Sequence, residues 1–320
     1  LQMMTHTAQS IDPAARFVLI SLNPQAGHGP SGELAKKLAA ILEDRGFQAV
    51  VETDIDQIQL IAEQKQACGE LRTVISVGGD GTLSLLLNTL TEETNICIFP
   101  QGTENVLAKY LGIKADPEFV ADLIEQGQVI PMDAGQVTND AGEQFLFALM
   151  VGCGFDGDIA ERLANRRKGH ITKFSYFIPV LTAIWKYRYP KMFVQDLANK
   201  HNSFDARFLF IMNIRQYALK LMIAPQADPT DGRLDACGFI KPGLLHGLKY
   251  FWQLWWSTHP RSKQYITRQA KSFRIHADTQ DRVVVQIDGD PCTSLPITVT
   301  TIPNRLRLLV PQTFLDDQEP

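Results

Sequence analysis

The chain has 320 residues, 45% hydrophobic and 21% charged, a globular composition that excludes disordered, collagen-like and low-complexity proteins and suggests two domains at roughly 100–200 residues each. Its formal net charge of −4 lacks the basic footprint of a nucleic-acid-binding domain, so DNA and RNA are not expected partners. Five scattered cysteines (Cys68, Cys97, Cys153, Cys237 and Cys292), never spaced as CxxC, indicate neither a disulfide framework nor a zinc site and fit a cytoplasmic setting.

Taken in chain order, Phe17 to Leu22 reads as a strand that stops at Asn23-Pro24-Gln25-Ala26-Gly27, a loop dense in turn residues. Leu34, Leu38, Ile41 and Leu42 recur at helical spacing up to Gly46, Phe47 to Val51 resumes a strand, and a second helix is predicted over Ile55–Ala67. Thr73 to Val77 is a strand running into Gly78-Gly79-Asp80-Gly81-Thr82, followed by a helix over Leu83–Leu90 and a strand over Ile96–Phe99. This alternation predicts a parallel sheet covered by helices on both faces. From Ala134 the rhythm changes: Phe145–Val151, Phe208–Asn213, Val283–Ile287 and Ile297–Thr301 read as strands with few helices between them. A mainly antiparallel second domain is expected, interrupted by helical stretches near Ile159–Tyr187 and Gly243–Trp256. The apolar run Tyr176–Trp185 is about half the ~20 residues of a membrane span and contains Pro179. No basic segment followed by an apolar one marks a secretory signal at the N-terminus.

The glycines of Gly78–Thr82 permit close backbone approach, and the following helix offers amide donors to phosphate. A glycine-rich turn with an N-capping aspartate is the plainer alternative. No Gly-Lys-Ser/Thr P-loop is present, so the phosphate cradle is of another kind. Pro100-Gln101-Gly102-Thr103-Glu104-Asn105 ends the fourth strand in the same way. Ligands of parallel sheets gather at the carboxyl ends of strands, which would place Asn23, Gly78–Thr82 and Thr103–Asn105 around one crevice. Asp288-Gly289-Asp290 has the look of a hairpin turn between two strands.

These segments, with Gly152-Cys153-Gly154-Phe155-Asp156-Gly157-Asp158 and Asp228-Pro229-Thr230-Asp231-Gly232-Arg233-Leu234-Asp235, resemble the diacylglycerol kinase catalytic-domain family, which includes bacterial lipid kinases and sphingosine kinases. They occur in the family's order from about residue 17 to 310. The resemblance implies an α/β N-terminal nucleotide-binding domain of the NAD kinase/diacylglycerol kinase type (17–133, with 304–320 returning to it) and a mainly antiparallel β-sandwich C-terminal domain (134–303) that binds lipid. It implies ATP-dependent, Mg2+-assisted phosphorylation of a lipid hydroxyl on a diacylglycerol- or sphingosine-type acceptor. Carried over by motif, Asn23, Thr53, Gly78, Gly79, Gly81, Thr82, Thr103 and Asn105 hold ATP. Asp80 orients metal-bound phosphate or the acceptor hydroxyl, and Asp290 is the proton acceptor.

Two positions depart from the family pattern: Val106 stands where most bacterial relatives have aspartate, and Asp290 where glutamate is usual, one methylene shorter. Asp158 matches the position that binds the lipid head group in sphingosine kinases, with helix capping as the alternative for it and Asp156. Asp231 resembles a structural Mg2+ ligand, although an Asp-Gly turn explains its loop equally well. Arg162, Arg166, Arg167, Lys168 and Lys173 form a basic cluster suited to phosphates, an anionic membrane surface or plain solvation. Tyr250-Phe251-Trp252-Gln253-Leu254-Trp255-Trp256 either packs into the core, lines a lipid pocket or rests on a membrane. The seven histidines show no ligand spacing. Expected partners are a lipid substrate, a membrane contacted peripherally at its inner face, and a second copy in a homodimer. The rival readings are an NAD kinase-like enzyme and a catalytically silent nucleotide- or lipid-binding relative.

Overall fold

The computed structural model describes residues 8–23, 30–165 and 187–316. Pro24 to Gly27, the basic residues Arg166 to Lys173 and the run Tyr176–Trp185 lie outside the described residues. The chain divides into two compact units, residues 1–132 with 304–320, and residues 133–303.

The first unit is built from β1 (Gln9–Ser10), β2 (Phe17–Leu22), α1 (Pro30–Asp44), β3 (Gln48–Glu52), α2 (Ile55–Ala67), β4 (Leu71–Gly78), α3 (Asp80–Thr89), β5 (Asn95–Pro100), α4 (Val106–Tyr110), α5 (Pro117–Gln126) and the start of β6 (Gln128–Asn139). All six residues of β2 are buried, as a strand covered on both faces requires. β2 pairs in parallel with β3 and β4, and β4 with β5. α2 starts where Asp54 Oδ1 accepts the amides of Asp56 and Gln57 at 2.9 and 3.1 Å, an N-cap that satisfies two of the helix's orphan donors. α5 is bounded by the N-cap Asp116, Pro117 in its first turn and a left-handed Gly127, in keeping with proline entry and glycine exit. The carbonyls of Ile124 and Glu125 accept from buried Arg72 at 2.7 and 2.8 Å, which closes the helix's C-terminal end.

The second unit holds the rest of β6, β7 (Gln144–Phe147), β8 (Met150–Cys153), α6 (Phe155–Asn165), β9 (Met192–Asp196), β10 (Phe204–Ala206), β11 (Phe208–Met212), β12 (Leu234–Phe239), α7 (Leu244–Trp255), β13 (Tyr265–Ala270), β14 (Ser272–Ala277), β15 (Val284–Ile287), β16 (Asp290–Ser294) and the start of β17 (Ile297–Leu309). Short α8 (Gln312–Asp316) follows in the first unit. One sheet runs β13-β12-β11-β8-β15-β16, and a second run of strands is β10-β9-β14-β17; the pairings along both runs, and that of β6 with β7, are antiparallel. Val151, Leu209, Ile211 and Val285 from the first sheet meet Val194, Phe273, Ile275 and Val299 from the other in one buried core. That core makes the unit a β-sandwich.

The expected α/β and antiparallel halves are therefore present, and two strands differ from their sequence reading. Phe145–Val151 breaks at Ala148-Leu149 into β7 and β8. The Asp288 carboxylate accepts the amides of Ala148, Leu149 and Met150 at 2.8, 2.9 and 2.9 Å and so fixes a corner that local periodicity does not signal. Ile297–Thr301 continues to Leu309, because its far end pairs with β5 through Arg307 and Leu308.

Asp288→Ala removes three charge-assisted hydrogen bonds at once. It is expected to lower the urea-unfolding stability of the second unit by about 3 kcal/mol or more, with far-ultraviolet circular dichroism at zero denaturant little changed.

Candidate nucleotide and acceptor sites

In the first unit the register brings four strand ends level: Leu22 faces Val77, Ser21 faces Glu52, and Gly78 faces Pro100. Asn23, Thr53, Gly79 and Gln101 follow those ends and share the carboxyl edge of the sheet. β3 and β4 flank β2, so the strand order reverses between β2 and β4, the switch point where such sheets open a ligand crevice.

The loop after β4 and the loop after β5 touch backbone to backbone. The Gln101 amide donates to the Gly78 carbonyl at 2.8 Å. A Cβ on Gly102 would stand 2.5 Å from the Gly79 Cα and 2.7 Å from Asn105 Oδ1, and one on Gly79 3.2 Å from the Gly102 Cα, so the loop after β5 has no room for a side chain at the crossing. Asn105 sits in the left-handed region at φ 47°, which asparagine accepts better than most residues. Its side chain accepts from the Gly102 amide at 2.9 Å and donates to the Gly102 carbonyl at 2.8 Å, closing the turn.

Asp80 ties the two loops together. Its Oδ2 accepts the Val106 amide at 2.9 Å and its Oδ1 the Leu107 amide at 3.3 Å. Asp80 thus caps α4, twenty-six residues away, and not its own helix, whose N-cap is Gly79 without a side-chain acceptor. The amides of Thr82 and Leu83 donate to the Gly79 carbonyl at 3.0 and 3.3 Å, which leaves those of Asp80 and Gly81 at the start of α3 without a side-chain cap, where the helix dipole favours an anion. Burial holds the Asp80 carboxyl above its ordinary pKa, against the opposing pull of the two amides. Thr82 is buried beneath Gly78, while Gly81, Thr103, Thr53 and Asn23 are exposed.

Gln101 lies in the loop after β5, where its sequence motif assigns it no role. Its Nε2 is buried with no hydrogen-bond partner, a donor available to a ligand; no spacing rule marks it, since its burial depends on how the two loops pack.

In the second unit, Asp288 and Gly289 have φ of 50° and 98°, and Ile287 pairs with Asp290. This is a two-residue hairpin with both central residues at positive φ, as in a type I′ turn. Asp290 lies exposed immediately after it. The hairpin is held from below: Gln286 Oε1 accepts the Gly289 amide at 2.7 Å, and Gln286 Nε2 donates to Asp156 Oδ2 at 2.6 Å. Tyr217 donates its hydroxyl to Asp156 Oδ1 at 2.7 Å. Burial raises the Asp156 pKa, with these two donors opposing the shift. Asp156 therefore supports the Asp290 hairpin through Gln286 and caps no helix. Gln286 and Tyr217 carry no motif and were not legible from the sequence.

Asp158 forms a bidentate pair with Arg162, at 2.6 and 3.1 Å, one helical turn on. Arg162 is the one member of the basic cluster among the described residues. Asp231 accepts the Arg233 amide at 2.9 Å and Gln269 Nε2 at 2.6 Å. Asp133 accepts the Gly232 amide at 2.7 Å, and Asp228 accepts the Thr230 amide and hydroxyl at 3.1 and 2.6 Å. Burial, together with the negative charges of Asp228 and Asp133, raises the Asp231 pKa. Such an oxygen-rich, mutually repelling set has the donor chemistry of a hard-cation site. Among the described residues, however, no three carboxylate, imidazole or thiol side chains converge as a metal cluster.

Two family models match the chain: "Diacylglycerol kinase catalytic domain" over residues 17–137 and "YegS C-terminal NAD kinase beta sandwich-like domain" over residues 149–310. The chain is 28% identical to a diacylglycerol kinase of Mycobacterium tuberculosis (strain CDC 1551 / Oshkosh) over 295 residues, covering 91% of this chain and 94% of that protein. It is 22% identical to a diacylglycerol kinase of Bacillus subtilis (strain 168), covering 92% and 96%. A solved structure of a diacylglycerol kinase from Bacillus anthracis str. Sterne superposes with a TM-score of 0.64 at 18% identity, covering 95% of this chain and 99% of that one.

Gly102→Ala should separate the two loops. Nucleotide binding measured by calorimetry is expected to fall at least tenfold, while the thermal unfolding midpoint moves little because the crossing lies at a loop edge.

Proposed function

Because the chain belongs to the diacylglycerol kinase catalytic-domain family, and is thereby an ATP-dependent lipid kinase, we propose that it transfers the γ-phosphoryl group of Mg2+-ATP in line to a hydroxyl of a diacylglycerol- or sphingosine-type lipid. The observation that carries this reading is the pair of glycine loops stapled by Asp80 at the carboxyl edge of the parallel sheet. Such an edge offers backbone amides, hydroxyls and an open helix N-terminus, the groups that hold phosphates. Phosphoryl transfer needs little covalent participation from the protein, so positioning and charge stabilisation account for most of the catalysis.

In this reading Asn23, Thr53, Gly78, Gly79, Gly81, Thr82, Thr103 and Asn105 bind ATP, with the Gln101 amide as a further donor. Each Asp80 oxygen retains a lone pair beyond its bond to an α4 amide, leaving the carboxylate able to orient metal-bound phosphate. Asp290, carried on a hairpin whose amide Gln286 holds, accepts the proton of the acceptor hydroxyl. Asp158 contacts the lipid head group, exchanging its bond to Arg162 for one to the lipid. Asp231 holds a structural Mg2+ with neighbouring carbonyl oxygens. Among the described residues no helix is long and apolar enough to cross a membrane; the proposal places the protein in the cytoplasm, peripherally at the inner membrane face, where a diacyl acceptor resides.

Transfer of label from γ-labelled ATP into an organic-extractable product, with vesicles of several hydroxylated lipids and with NAD as an alternative acceptor, tests the reading. Asp290→Asn is expected to lower the rate about 10²-fold or more, and Asp290→Glu, the usual family residue, to retain activity. Full activity of the Asn variant would remove Asp290 from the role of base. Label in NAD in place of lipid would establish the NAD kinase-like alternative, and ATP binding without any labelled acceptor the silent one.

For the cation, Mg2+ is expected to raise the thermal midpoint of the wild type and not that of Asp231→Asn. An equal rise in both would place the ion elsewhere.

A further inference from the structure

α7 is apolar on both faces. On one, Tyr250 and Leu254 are buried, with the Tyr250 ring stacked 4.4 Å from that of Phe239 and edge-on to Phe208 at 5.6 Å. This inner stripe is sufficient to fix the helix on the second unit. The other face carries Leu245, Leu248, Phe251, Trp252 and Trp255, continued by Trp256 just past the helix end, with exposures from 39% to 79%. These are six of the eleven large apolar side chains exposed among the described residues. Of the segment Tyr250–Trp256, core packing holds for Tyr250 and Leu254 and not for the tryptophans: Trp252 stacks on Trp256 at 4.8 Å and Phe251 approaches Trp255 at 5.9 Å, so these rings pair with one another at the surface. A contiguous apolar patch of this kind marks an interaction surface.

The charge around the patch identifies its occupant. From Ala236 to Ala277 the chain contains no aspartate or glutamate, although its net charge is −4. Lys241, Lys249, Arg261 and Lys263, all exposed, lie before, on and after α7. Leucine, phenylalanine and tryptophan on one face of a helix, bordered by lysine and arginine without acidic residues, are what an interfacial helix presents to acyl chains and anionic head groups together. A purely protein partner would not call for the exclusion of every acidic residue across this stretch.

We infer that the outer face of α7 docks the protein on an anionic phospholipid surface, with Leu245, Leu248, Trp252, Trp255 and Trp256 entering the interface and Lys249 and Lys263 facing the head groups. The inference rests on the lipid-kinase reading for its purpose and not for its test. The probe is vesicles of phosphatidylcholine with and without phosphatidylserine, free of any phosphorylatable acceptor, sedimented with the full chain. The wild type is expected to sediment with the anionic vesicles and to shift its tryptophan emission to the blue. Trp252→Glu/Trp255→Glu should reduce partitioning at least tenfold, and Lys249→Glu/Lys263→Glu should reduce it on anionic vesicles alone, both with unaltered thermal unfolding.

Turnover separates docking from catalysis. Both variants should phosphorylate a short-chain diacylglycerol dissolved below its aggregation limit as fast as the wild type, and lose activity on acceptor embedded in vesicles. Variants that sediment like the wild type would overturn the inference. So would a tryptophan variant that converts a dimer to a monomer in the ultracentrifuge while its vesicle binding stays intact, since the face would then cover a second copy. Wild-type binding to acceptor-free vesicles without turnover on any lipid would uphold the docking surface and overturn the kinase reading.

Discussion

The Asp80 carboxylate accepts two amides at the start of a helix that begins twenty-six residues later in the chain, and the geometry of the sheet's carboxyl edge depends on that link. Without it the five-residue α4 has no cap at its first turn, and a helix that short is not stable on its own. Asn105 would then lose the fixed frame in which its amide closes the Gly102 turn, and the close approach of Gly102 to Gly79 would have nothing to maintain it. One half-buried acidic side chain thus joins two glycine loops into a single surface of defined shape. The same burial keeps the group reluctant to ionise, a tendency that a nearby divalent cation would oppose by favouring the charged form.

The second unit repeats the device with different chemistry. Asp288 gathers three successive amides at the corner between β7 and β8, and Gln286 joins the hairpin amide to half-buried Asp156, which Tyr217 also engages. Asp290 is exposed but stands on a rigid footing, because the residues on either side of the turn are committed to buried partners. In the proposed role of proton acceptor so short a side chain has little reach of its own, and the placement of its backbone decides what it can touch.

Much of this was legible in the sequence, for identifiable reasons. The continuous apolar run of β2 and the helical stretch Ile55–Ala67 are local signals, and both elements lie where the sequence pattern puts them. The glycines of the two loops mark close backbone approach by composition alone. What stayed hidden depends on partners distant in the chain: the split of Phe145–Val151 by Asp288, the bond of Asp80 to another helix, and the donor and acceptor roles of Gln101, Gln286 and Tyr217. The tryptophans of α7 were hidden differently. Helical spacing tells which residues share a face but not which face the neighbouring strands will cover, and here Tyr250 and Leu254 took the inner one.

β17 carries a consequence for synthesis. Arg305, near its end, donates to the carbonyls of Leu87 and Leu90 at 2.7 Å each and so closes the C-terminal end of α3. Arg307 and Leu308 pair with β5, and the Val310 amide reaches the Gln128 carbonyl at 3.0 Å. The unit that the ribosome produces first is therefore completed last, with its β5 edge open until almost the whole chain has been translated. Contacts of such sequence separation slow folding and leave an unpaired strand exposed meanwhile. Nascent chains stalled before residue 304 should thus be held by chaperones as incomplete species and not accumulate as a free nucleotide-binding domain.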